Sequence, residues 1–219
     1  MAKFISRFRS TSQGKGLGCA ILARSILLLT AAGMQAAMVW EQAGQYGREP
    51  KIYLHWTAGH YNQTSDHYHV NITGDGKIYL TLPLDETGEG TWRRNSGSVS
   101  LTICGCFDAT TGDGLGSEPP TEKQIEVMAQ VIAAIAEGFW LTIDKAHVLT
   151  HGEAADNEDG IEPHEEYGPR STCERWDLEY LGTPESPVYN PWATDGTRGG
   201  DVLRGKANWY AKAWKGESA

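Results

Sequence analysis

The run "PPTEKQIEVMAQVIAAIAEGF", from Pro119 to Phe139, constrains the fold most. Thr121 caps a helix here and Gln124 stands at the reciprocal position of a capping box, so the helix has a defined start. Ile125, Met128, Ile132, Ile135 and Phe139 then recur on one face, and a stripe of that kind must be covered by another element. The sequence supplies a sheet on both sides of it. "KIYLHW" (51–56), "HYHVNIT" (67–73), "SVSLTICGCF" (98–107) and "KAHVLTH" (145–151) are β-branched or aromatic runs of strand length, and "GDGKIYLTL" sets an Asp-Gly turn before a further strand, a hairpin signal. The expected fold is α/β: a single domain with a mixed central β-sheet flanked by helices. A long polar loop is expected from Gly152 to Glu174, and a last helix over "DVLRGKANWYAKAW".

The chain divides by composition into residues 1–40, a core of 41–182 and a tail of 183–219 with the terminal helix. The first segment has Lys3, Arg7, Arg9 and Lys15 with no acid among its first sixteen residues, then a mainly apolar run interrupted by Arg24. Its uncharged part, Ser25 to Trp40, is short for a bilayer span. Three readings stay open: an export signal or weak membrane anchor, an amphipathic helix packed on the domain, or an upstream extension with Met34 or Met38 as the start. The first of them would bring membrane contact and work outside the cytoplasm; without export, release by lysis is required.

A formal net charge of -9 leaves no basic field for nucleic acid, and no nucleic-acid partner is expected. Four cysteines are too few for a disulfide scaffold; Cys104 and Cys106 are read as packing residues, and no spacing fits a four-cysteine zinc site. Seven histidines carry more information. His55 and His151 each end a strand-like run and would approach one another if those strands adjoin, whereas His147 and His151 lack the Glu of the HExxH helix.

"HWTAG", "YHV" followed by "GDGKIY", "TWRRNSGSVSLTIC", "HVLTHGE" and "RWDL" occur in that order over roughly residues 50 to 182. In this they resemble the zinc-dependent N-acetylmuramoyl-L-alanine amidases of the type 2 amidase and peptidoglycan recognition protein superfamily, phage and prophage lytic enzymes above all. The resemblance implies Zn2+ as cofactor, held by His55, His151 and Asp177, and bacterial peptidoglycan as partner of a monomeric enzyme. It implies Arg175 at a position that supports the transition state and Tyr68 near the metal-bound water. Thr102 stands where some members have a catalytic glutamate, which leaves the general base open.

Glu153 is the candidate for proton shuttling, and Trp92, Arg93 and Asn95 are candidates for a glycan groove. His147 is a possible substitute ligand or supporting partner of the site, His69 is expected to point away from the metal, and His60, His67 and His164 are expected at the surface. Two other classes remain in view: a noncatalytic peptidoglycan-recognition module, which typically lacks the third ligand, and a wall-docking part of a larger assembly.

Overall fold

Alternation along the strands decides which face of the sheet is core and which is chemistry. In "KIYLHW" Ile52, Leu54 and Trp56 enter the main core, while Tyr53 packs with Leu149 and Ala154 on the other side. "SVSLTI" repeats the pattern: Val99, Leu101 and Ile103 join the core, and the intervening Ser98, Ser100 and Thr102 are buried polar residues. Period-two patterning therefore sends His55 to the polar face.

The computed structural model describes residues 17–161, 168–170 and 175–217, with side chains from residue 26 onward. His164, Cys173, the side chain of Cys19 and the basic segment 1–16 lie outside the described residues. The elements are α1 (Leu17–Gly44), β1 (Lys51–Trp56), β2 (Val70–Ile72), β3 (Ile78–Leu80), β4 (Ser98–Ile103), α2 (Glu122–Phe139), β5 (Val148–Thr150), α3 (His151–Ala155) and α4 (Gly199–Lys215). They build one mixed sheet in the order β3-β2-β4-β1-β5, with β2, β4, β1 and β5 parallel and β3 antiparallel to β2. The expected hairpin closes through Gly76, at φ 75°, whose N–H donates to Thr73 O.

Helix α2 starts at the expected capping box, Thr121 with Gln124, and Gln124 also reaches the carbonyls of Ile72 and Cys104 from its side chain. Helices α1 and α4 both pack on α2. At the first contact Gly138 is indispensable: a Cβ there would lie 2.5 Å from the Ala32 Cβ. Leu28, Ala32, Ala36, Val39 and Ala43 of α1 are buried, and Trp40 Nε1 donates to Phe139 O. The helix is continuous across residues 40 and 41. Among the described residues no helix is long and apolar enough to cross a membrane.

Two local expectations are corrected. The strand at 67–73 is confined to Val70–Ile72, so Tyr68 and His69 precede it. The loop expected from Gly152 begins instead inside a buried helical turn, because Thr150 and Glu153 form a second capping box. Cys104 and Cys106 lie just past β4, buried and unbridged, and burial pushes the Cys104 thiol up to about 11, which suits packing residues.

Candidate metal centre

β1 and β5 are parallel neighbours with Leu54 opposite Thr150, so the next residues, His55 and His151, leave the same carboxyl-terminal edge of the sheet. Ligand sites in open α/β sheets gather at that edge. The rings of His55 and His151 meet edge to face with centroids 4.8 Å apart. Asp177 arrives from the segment ahead of α4, and its Oδ2 lies 3.6 Å from Nδ1 of both histidines. All three ligand atoms fall within 4.8 Å of one another, the one such group among the described residues.

A separation of 3.6 Å is long for a direct hydrogen bond. It is close to the edge of a tetrahedron with metal bonds of about 2.0 to 2.1 Å, roughly 3.3 Å. Two imidazole nitrogens and one carboxylate oxygen are a donor set that suits zinc. The residues present therefore fit a metal ion. Burial by itself would raise the Asp177 carboxyl, but His151 and His55 more than reverse that effect and hold it well below the ordinary carboxylate range. The centre stays reachable from one side, since the Asp177 side chain is 13% exposed.

Thr91 completes the His55 environment. Its Oγ1 sits 3.2 Å from His55 Nε2, and an Nε2–H donated there leaves the Nδ1 lone pair directed at the Asp177 side. Gly90 lets this loop lie against the ring: a Cβ at Gly90 would be 3.0 Å from His55 Nε2 and 3.1 Å from Tyr68 Cε1. The Tyr68 ring is 5.0 Å from that of His55, and burial, with the nearby Asp177 carboxylate, pushes its hydroxyl up to about 12. Arg175 is exposed, at φ 52°, and close enough to oppose Asp177 in its effect on Tyr68.

Glu153 is placed differently from the expectation. It is fully buried; Oε2 accepts from Thr150 N at 2.9 Å and from Arg204 Nη1 at 2.7 Å, and Oε1 accepts from Arg204 Nη2 at 2.8 Å. A carboxylate committed to a helix cap and a two-pronged arginine is not a proton shuttle. His147 is also elsewhere: it precedes β5, at the far end of that strand from His151, and pairs with Asp144 and Glu49 at 2.8 Å each. His69 is buried away from the centre, accepting from Ser100 N at Nδ1 and donating from Nε2 to Glu86 O. His60 pairs with Glu118 and His67 with Glu89, both at 2.7 Å on the surface.

Trp92 is exposed with the Arg93 guanidinium 4.7 Å from its ring centroid. Asn95 Oδ1 accepts from Thr91 N, and Arg93 and Asn95 line a cleft of about 670 Å³ together with Tyr46 and Arg48. Thr102 pairs with His55 in the β1–β4 ladder, and its buried hydroxyl donates to Ile103 O at 3.2 Å. The sequence alone assigns no role to Thr91, the first residue of the "TWRRNSGSVSLTIC" run, or to Gly90 just before it.

No curated protein matches the chain. Among solved structures, it is similar to the endolysin N-acetylmuramoyl-L-alanine amidase LysCS from Clostridium intestinale URNW, at 18% identity over 48% of this chain and 70% of that one, with a TM-score of 0.39. It is also similar to the Ph2119 endolysin from Thermus scotoductus MAT2119 bacteriophage Ph2119, at 21% identity over 49% and 74%, with a TM-score of 0.36. The sequence profile of the N-acetylmuramoyl-L-alanine amidase family matches residues 36–167, more than half of the chain. On that match the chain belongs to the N-acetylmuramoyl-L-alanine amidase family, enzymes that hydrolyse an amide bond of peptidoglycan.

Proposed function

We propose that the protein cleaves the amide between N-acetylmuramic acid and L-alanine with a zinc ion held by His55, His151 and Asp177. The observation that carries this reading is the convergence of two imidazole nitrogens and one carboxylate oxygen at the carboxyl edge of adjacent parallel strands. Bound there, zinc polarises the carbonyl and lowers the pKa of water towards about 7. The chain's own residues do the rest. Tyr68 stays protonated throughout the neutral range and donates a hydrogen bond to the oxygen on which negative charge develops. Arg175 adds a fixed cation on the open side of the centre. Thr91 holds the His55 ring, and Trp92, Arg93 and Asn95 are read as contacts for the wall polymer.

We also read residues 26–217 as one working unit, because α1 and α4 both bury apolar faces against α2.

The test is mass spectrometry of purified peptidoglycan digested with the full chain, stripped by a chelator and reloaded with zinc. Free stem peptides beginning in L-alanine, intact glycan strands, no products without metal and recovery with zinc are expected. Cleavage of another bond, or none from a folded, zinc-loaded protein that pulls down with the wall, would overturn the reading.

A further inference from the structure

We propose that Glu179, gripped by Arg198, is a positioning residue that fixes the His151 turn against the segment carrying Asp177. This rests on the reading of His55, His151 and Asp177 as metal ligands. Thr150 immediately precedes His151, and Glu179 follows Asp177 by two residues. Their side chains meet: Thr150 Oγ1 donates to Glu179 Oε1 at 2.7 Å, both groups buried. One hydrogen bond thus joins the two ligand-bearing segments across 29 residues of chain.

The other oxygen is held equally firmly. Glu179 Oε2 accepts from Arg198 Nε at 2.9 Å and lies 2.8 Å from Arg198 Nη2. Arg198 and Glu179 side chains are 1% and 0% exposed, so this is a grip in a dry interior and not a surface pair. The backbones close on the same spot. Gly199 N donates to Glu179 O, and a Cβ on Gly199 would lie 1.9 Å from Leu178 O. A Cβ on Gly152, directly after His151, would lie 2.7 Å from Glu179 Cγ and 2.9 Å from Arg175 O. Glycine at both positions permits the approach.

A second carboxylate, Glu153, shares this interior and is answered by Arg204 of α4. Two buried carboxylates side by side repel one another unless each has its cation. Arg198 and Arg204 both lie beyond residue 167, where the family match ends. The start of α4 therefore supports the metal centre from outside the matched segment.

The test measures zinc affinity of metal-free protein by competition with a chelator, beside thermal unfolding of the same metal-free samples. Wild type must take up one ion; failure there removes the ligand reading and not this inference alone. Glu179→Gln, Arg198→Lys and Thr150→Val should each weaken zinc binding about 10- to 100-fold, while Thr150→Ser, which keeps the hydroxyl, stays within about twofold of wild type. The double variant Thr150→Val with Glu179→Gln should lose less affinity than the two single losses combined, since the Thr150–Glu179 hydrogen bond is common to both. Zinc affinity within about twofold of wild type in Glu179→Gln and Arg198→Lys, whatever their melting temperatures, overturns the proposal. Should either fail to fold without metal, Thr150→Val, which leaves the arginine pair intact, decides by the same criterion.

Discussion

Thr91 Oγ1 lies 3.2 Å from Nε2 of His55 while Nδ1 of the same ring faces Asp177 at 3.6 Å, so one ring is held from behind and presented in front. A ligand histidine without that rear partner can rotate and change tautomer. Thr91→Val, nearly equal in volume, should lower zinc affinity by about tenfold, and Thr91→Ser should restore it. Chelator competition on the two variants reads the difference; equal affinities would assign Thr91 to packing alone.

Tyr68 carries the next prediction. With its hydroxyl pushed up to about 12 by burial, it remains a donor throughout the neutral range. Tyr68→Phe should lower kcat on the order of 10²-fold and leave metal content unchanged, as expected for loss of one donor to a developing oxyanion. An unchanged rate in the phenylalanine variant would remove Tyr68 from the chemistry.

How much of this was legible depended on range. The capping box at Thr121 and Gln124, the Asp-Gly hairpin and the strand runs around His55 and His151 are local patterns, and the structure carries all of them. Thr150 and Glu153 form the same Thr-x-x-Glu pattern as a helix start, yet the surrounding polar residues suggested a loop with a free acid. Arg204 is what makes Glu153 structural, and it lies 51 residues away. Glu179 is similar: nothing in "RWDLEY" announces a partner at Thr150 or Arg198. Thr91 opens the "TWRRN" segment and Gly90 precedes it, but their meeting with His55 depends on how the loop folds back over the sheet. Short-range capping and periodicity read directly from the chain; pairings fixed by tertiary packing do not.

Glu153 should accordingly behave as a stability residue. Glu153→Ala leaves Arg204 buried without its main partner and should cost about 3 to 5 kcal/mol in chemical denaturation. The pH dependence of the folded, zinc-loaded variant should keep the wild-type shape. A lost limb in its pH–rate profile, with stability intact, would return Glu153 to catalysis.

The docking of α4 on α2 has its own pH dependence. Partial burial raises the Glu126 carboxyl, but hydrogen bonds from Lys206 (2.6 Å) and Tyr210 (2.7 Å) outweigh it and leave the pKa lowered. A carboxylate with a folded pKa below its unfolded value contributes stability that is full above the ordinary value of about 4.5 and fades as pH falls through the folded one. Glu126→Gln should therefore melt below wild type near neutrality and converge with it in acid. Parallel melting curves across the acid range would show that the contact carries no linked proton.

Arg94 and Asp159 test whether the loop bearing Thr91 is anchored by charge. Both side chains are fully buried; Arg94 Nε meets Asp159 Oδ2 at 2.7 Å, Nη2 meets Oδ1 at 3.1 Å, and Tyr53 Oη donates to the same Oδ2. Further bonds from Nη2 to Asn157 Oδ1 and Ile161 O, each 3.0 Å, tie this loop to the segment after α3. Arg94→Met should cost about 3 to 5 kcal/mol, because the buried carboxylate then keeps only neutral donors, Tyr53 Oη and Ile161 N, and no cation. Adding Asp159→Leu should recover part of that loss, since no unpaired charge then remains inside. Urea unfolding of the single and double variants measures both quantities. A double variant less stable than the single would mean that directional hydrogen bonds, not the compensation of charge, hold the Thr91 loop over His55.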